Sequence, residues 1–179
     1  PADPVDLKRR YYERLAGRAF ERLGIRVGPE DVRVHAPVIW ELVGPTSFGV
    51  FPEVPQALEA LGAAGIPMAL ISNWQRGVRH FCEELGLDHF FEHIIGSADV
   101  GVAKPDPRIF EEASRRLGVE QDRILPVGDT WEDDYLGGRN AGFQVVLFDR
   151  KGRGGSGADR VIDDLRALLP LFDHWSSPG

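Results

Sequence analysis

The chain has 179 residues, 42% of them hydrophobic, which is enough to bury one core and leaves room for one domain with a small appendage. Its 28 acidic residues outnumber 21 basic ones, for a net charge of -7, and no basic cluster exceeds Lys8-Arg9-Arg10, so polymeric nucleic acid is excluded as a partner for want of a concentrated basic face. A single cysteine, Cys82, excludes an intrachain disulfide and a thiolate zinc site and suits a cytoplasmic protein. No apolar run nears the ~20 residues that span a bilayer, and no charged-then-apolar leader precedes Pro1, so neither membrane attachment nor export is expected. A small phosphorylated metabolite stays within reach, since one lysine and one bound cation can hold a single phosphoryl group.

In chain order, Leu7, Tyr11, Leu15, Ala19 and Leu23 recur every four positions and predict a helix from Asp6 to about Leu23. A second helix is predicted from Pro29 to Leu42, stopped by Gly44-Pro45, so residues 1–48 read as an all-α unit. Residues 49–179 have a different texture. Apolar runs at Ile66–Ile71, His93–Ile95, Ile124–Val127, Val145–Phe148 and Val161–Ile162 alternate with helical segments near Val54–Ala64, Arg76–Leu85, Pro107–Leu117, Asp133–Ala141 and Asp164–Leu169. Parallel neighbours need crossover helices, so this alternation predicts an α/β fold with a doubly wound parallel sheet. Pro126 cannot donate to a ladder and predicts a bulge or a late start in its strand. The segment Lys151–Gly157 is glycine-rich but lacks a Gly-Lys-Ser/Thr ending and reads as a loop.

Ligands of open α/β sheets sit at the carboxyl ends of the strands, so the polar residues that follow each apolar run are the candidates. Ser72 and Asn73 follow Leu70-Ile71; the serine hydroxyl suits a phosphoryl oxygen, although taken alone Ser72 reads better as a plain helix N-cap. Lys104 lies in Ala103-Lys104-Pro105-Asp106-Pro107, where rigid neighbours would aim its ammonium inward, against the ordinary fate of a loop lysine in solvent. Gly128-Asp129-Thr130-Trp131-Glu132-Asp133-Asp134 crowds four acids just after a strand, which invites a hard, oxygen-seeking cation, Mg²⁺ first. Favourable interaction with a helix dipole accounts for Glu132 and Asp133 but poorly for Asp129. His89 and His93 stand four apart, yet lack a third ligand and the glutamate of a zinc-protease motif. Trp40, Trp74 and Trp131 read as core or site-wall residues, the last two close enough to the motifs to border a substrate.

The order Ser-Asn, then Lys-Pro, then Gly-Asp with a second Asp resembles the second, third and fourth motifs of the haloacid dehalogenase (HAD) superfamily. The resemblance runs from Phe48 to about Leu169, and the helices before it are similar to that family's α-helical cap. It implies a HAD-like Rossmannoid core with a partial cap and an Mg²⁺-dependent phosphatase of a small phosphorylated metabolite, acting through an aspartyl phosphate. Ser72, Asn73 and Lys104 would bind phosphate, Ser72 and Lys104 would serve catalysis, and Asp129 and Asp134 would hold the metal, directly or through water. Dehalogenases of the family carry serine and asparagine where Gly128-Asp129 stands, so the resemblance points to phosphoryl transfer.

One family element is missing from these residues: an apolar strand ending in Asp-x-Asp, whose first aspartate is the nucleophile. Asp3-Pro4-Val5-Asp6 has the wrong spacing, and Asp149 follows the later strand with Lys151 two residues on. The resemblance places the nucleophile strand upstream of Pro1 and in the middle of the sheet. The expectation is therefore a chain that is inactive and poorly stable by itself, derived from an active parent. The alternative is a non-catalytic HAD-like module that binds a phosphorylated ligand or a protein partner.

Overall fold

In the computed structural model the described residues are 13, 16–17, 20–21, 24–43, 49–74, 77–152 and 157–172. The helix expected over Asp6–Leu23 falls mostly outside them, as does much of the glycine-rich segment. The chain divides into two compact units, Pro1–Gly49 and Val50–Gly179.

In the first unit helix α1 spans Pro29–Val43. Proline suits the first helical position because its missing N–H would be unpaired there anyway. The Gly28 N–H donates to Asp31 Oδ2 at 3.0 Å, and Glu30 and Asp31 complement the positive end of the helix. Ala16 and Ala36 are buried, and the Phe20 and His35 rings meet edge-on.

The second unit alternates strands and helices: α2 (Glu53–Ala63), β1 (Ala69–Ser72), α3 (Val78–Glu84), β2 (His93–Gly96), α4 (Ser97–Val100), α5 (Pro107–Leu117), β3 (Val127–Gly128), a wide-turned helix Trp131–Leu136 running into α6 (Gly137–Asn140), β4 (Val146–Phe148), β5 (Val161–Ile162) and α7 (Leu169–Phe172). All strand pairs are parallel, the doubly wound class expected. The sheet is in two pieces, β1 with β2 and β3-β4-β5. β3 begins only at Val127, immediately after Pro126, because proline has no N–H for the ladder. The Pro126 carbonyl still accepts from the Val146 N–H at 2.9 Å.

Both faces of the sheet are covered. Val145 and Leu147 face a cluster with Ile95, Ile109, Phe110, Tyr135 and Phe143, whereas Val146 between them faces Leu61, Ile162 and Leu168. That alternation is the two-residue period of a strand buried on both sides. Helix α5 ties the first cluster down. Asp106 caps it by accepting from the Arg108 N–H at 3.0 Å, Pro107 fills its first turn, and Gly118 ends it at φ 65°. The Arg108 guanidinium hydrogen-bonded to Asp106 pulls that carboxyl down to a pKa of about 2.

Ile109 is fully buried between α5 and the sheet. Ile109→Ala is expected to cost about 2–5 kcal/mol, read as a lower urea midpoint at unchanged slope; a change under ~0.5 kcal/mol would contradict this packing.

Candidate functional site

Ser72 ends β1, and Gly128-Asp129 ends β3, so both reach the carboxyl crest of the parallel strands. The helix after β1 begins only at Val78 behind a left-handed Gly77, so Ser72 is not its N-cap. Ser72, Lys104, Asp129 and Asp134 all line one cavity of about 1240 Å³ in the second unit. The expected residues, scattered over some sixty positions of sequence, thus converge on one place, with Asn73 joined to it through hydrogen bonds.

Lys104 is turned inward, its side chain 13% exposed, and its Nζ donates to Asp134 Oδ1 at 2.5 Å. The other carboxylate oxygen of Asp134 accepts from the Thr130 N–H at 3.0 Å and from the Thr130 hydroxyl at 2.6 Å. Burial would by itself raise the Asp134 pKa, but the Lys104 ammonium and the Thr130 donors outweigh it and hold the carboxyl below its ordinary value of 3.8. Two charges this far from water persist because each has the other.

Three local features fix that contact. Asn73 Oδ1 accepts from the Lys104 N–H at 2.7 Å and its Nδ2 donates to the Lys104 carbonyl at 2.9 Å, so one amide grips the backbone of the lysine from both sides. A side chain at Gly137 would stand 3.0 Å from Pro105, and one at Gly128 would overlap the Asp134 side chain, so glycine at both positions lets helix, loop and strand close together. Thr130 is the N-cap of the wide-turned helix, and its carbonyl accepts from both Asp134 N–H and Tyr135 N–H at 3.1 Å. Such widened turns recur at functional sites.

The side chain of Asn73, expected to meet phosphate, holds the backbone of Lys104. Asp134 has both oxygens engaged, whereas Asp129 is exposed at the strand end. Among the described residues no group of three acids, histidines or cysteines forms a metal cage. Oxygen donors at Asp129 do fit Mg²⁺, which keeps several waters and needs only one or two carboxylates beside a phosphate. His89 lies in a short turn against Phe90 and His93 on β2, not on one helix. Trp74 stacks on Phe81, and Trp131, 36% exposed, on Tyr135; the side chain of Trp40 lies outside the described residues. Thr130 escaped sequence reading, although a threonine four residues before an acid at a helix start was the available signal.

A parallel α/β sheet with serine, lysine and aspartate at its carboxyl crest defines the class of doubly wound domains that carry their chemistry there. A family model described as haloacid dehalogenase-like hydrolase matches residues 8–142, and the chain belongs to that family. It is 36% identical over 136 residues to a glyceraldehyde 3-phosphate phosphatase of Methanothermobacter thermautotrophicus, covering 68% of this chain and 58% of the relative. It is also 34% identical to an (S)-2-haloacid dehalogenase 2 of a Pseudomonas species, over 70% of this chain and 56% of the other. The chain thus spans less than two thirds of either relative. The crystal structure of a HAD phosphatase from Thermococcus onnurineus shares the fold at a TM-score of 0.70 and 24% identity, over 93% of this chain and 90% of that one. Among the described residues no helix is long and apolar enough to cross a membrane.

Lys104→Met leaves Asp134 charged without its partner, and a loss of about 3 kcal/mol is expected at neutral pH. Adding Asp134→Asn should return more than half of it, because the stranded charge goes while the Thr130 contact can stay. A depressed carboxyl contributes stability above its unfolded value and loses it as pH falls through its folded one. The deficit of the single variant should therefore shrink as pH drops below 3.8. Equal losses in single and double variants across pH would refute the pairing.

Proposed function

We propose that this chain supplies the phosphate- and cation-binding part of an Mg²⁺-dependent phosphatase of a small phosphorylated metabolite. The observation that carries this reading is the convergence on one cavity of Ser72, the inward Lys104 and the exposed Asp129. Relatives of both chemistries match the chain, so overall similarity does not separate phosphatase from dehalogenase. Gly128-Asp129 supports the former, because a carboxylate at the strand end can take a cation that a dehalogenase site does not need. The name of the glyceraldehyde 3-phosphate phosphatase supports a substrate of the size of a sugar or triose phosphate.

In this reading Ser72 donates its hydroxyl hydrogen to a phosphoryl oxygen, and Lys104 offsets the negative charge gathered around phosphorus. Asn73 sets the height of Lys104 above the sheet, and Asp134 keeps its ammonium from swinging into solvent. Asp129 would hold the Mg²⁺, with Asp134 serving it through water; the ion would supply charge neutralisation at the phosphoryl oxygens. The resemblance would place the attacking carboxylate in an Asp-x-Asp strand that these residues do not include, and in this reading the chain by itself binds without turning over. Asp149 follows β4, which pairs with β3 on one side and β5 on the other, and has no part in the attack.

Calorimetric titration with Mg²⁺ in the presence of inorganic phosphate should show binding that Asp129→Asn abolishes and Lys104→Ala weakens by about tenfold or more. In a longer protein that carries this chain behind an Asp-x-Asp strand, either substitution should lower Mg²⁺-dependent hydrolysis of p-nitrophenyl phosphate by about 100-fold or more. Unaltered turnover in either variant would reject the assigned roles. Robust hydrolysis by the 179 residues alone would reject the placement of the nucleophile, and a longer protein that binds without turnover would favour the non-catalytic module.

A further inference from the structure

The turn that carries Ser72 and Asn73 is held from a side that no candidate residue of the site occupies. β1 and β2 end in register, Ser72 opposite Gly96, so the segments that leave the two strands start out side by side. After β1 the Trp74 N–H donates to the Ser72 carbonyl at 2.8 Å and closes a three-residue turn with Asn73 at its apex. After β2 the chain enters α4 at once, and the first N–H groups of a helix have no partner within it. Gly96 stands at the cap position and has no side chain to offer. The Trp74 carbonyl takes that place. It accepts from the Ala98 N–H at 3.2 Å and from the Ser97 hydroxyl at 3.1 Å. Ser97 is 8% exposed and, with Asp134, one of two buried polar or charged residues among those described. The Trp74 ring stacks on Phe81 of α3 with centroids 5.3 Å apart, so the residue is held at both its side chain and its carbonyl.

From this arrangement we infer that Ser97 is a positioning residue of the site: through the Trp74 carbonyl it fixes the turn whose apex, Asn73, grips the backbone of Lys104, and so sets where the ammonium stands without itself meeting a ligand. The links are all short. Trp74 is joined to Asn73 by one peptide bond, and the Asn73 amide meets the Lys104 N–H at 2.7 Å and the Lys104 carbonyl at 2.9 Å. A planar amide that must meet a donor and an acceptor together tolerates little rotation of the residue that carries it. A single N–H bond would let the Trp74 carbonyl pivot; two donors on different atoms fix its direction, and with it the peptide planes of the turn. The hydroxyl is the removable donor of the two. Without it the carbonyl keeps the Ala98 N–H and is not left bare, so the fold loses little and the slack falls on the turn. Ser114 offers a comparison: its hydroxyl also donates to a carbonyl, that of Val119 at 2.8 Å, but at the far end of α5 from Lys104. The bearing of Ser97 on phosphate rests on the reading of the site as that of a phosphatase; its hold on Lys104 does not.

The test uses the full 179-residue chain with Ser97→Ala, Ser97→Cys and Ser114→Ala, and with Asn73→Ala as a second background. The Lys104 amide, whose N–H lies on Asn73 Oδ1, should exchange with solvent about tenfold or more faster in Ser97→Ala, and its proton resonance should move upfield. Ser97→Cys fills the same space with only a weak donor and should act in the same way, which separates the lost hydrogen bond from lost packing. Ser114→Ala should leave Lys104 unaltered at a comparable shift of the urea midpoint. In the Asn73→Ala background, where Lys104 already exchanges fast, Ser97→Ala should add nothing. Affinity for inorganic phosphate with Mg²⁺ should fall about fivefold in Ser97→Ala. Unchanged exchange at Lys104 in both Ser97 variants, equal acceleration in Ser114→Ala, or a full effect without Asn73 would overturn the proposal. A wild-type chain that binds no phosphate would count against the phosphatase reading, and exchange at Lys104 would still decide the role of Ser97.

Discussion

The contact between Lys104 and Asp134 is the constraint on which the rest of the site depends. It joins the loop that leads into α5 to the helix that leaves β3. Removing an ammonium and a carboxylate from water costs several kcal/mol each, so the pair is tenable only if its surroundings hold the two groups in register. Asn73 does this from the backbone of Lys104, Thr130 from the far oxygen of Asp134. Gly128 and Gly137 do it by having no side chain in the way. The Lys-Pro-Asp-Pro sequence adds a cap at Asp106 and a helix start at Pro107, which removes freedom from the loop on its other flank.

Charge is divided unequally among the acids of this segment. Asp134 is committed inward to a cation the protein already owns, and its carboxyl is held ionised by it. Asp129, one residue past the strand, is exposed and lines the same cavity. A crowded acidic run thus resolves into one acid paired with a lysine and one left exposed at the strand end.

The site and the divided sheet share one geometric origin. Ser72 and Asp129 terminate the two strands that flank the cavity, so the distance between them is set by whatever separates β1 from β3. The apolar cluster around Val146 and that around Ile95 and Ile109 lie on opposite sides of β4, so the strands that carry the site residues are packed from both faces.

Much of this was legible in the chain. Apolar runs alternating with amphipathic segments determined the parallel α/β class, since no other arrangement buries such runs on both faces. Pro126 foretold the late start of β3, and Pro107 and Gly118 bound α5 at both ends because their backbone preferences are local. Ser72, Lys104, Asp129 and Asp134 could be singled out because polar residues after buried strands have few structural uses. Only the tertiary structure shows what each of them touches. That Asn73 grips Lys104, and that Asp134 meets an ammonium, depends on which groups lie within about 3 Å. Contacts across thirty or sixty residues leave no local trace in sequence. The same holds for strand pairing: hydrophobicity marks a strand as buried, but only the assembled sheet shows which strand lies beside it.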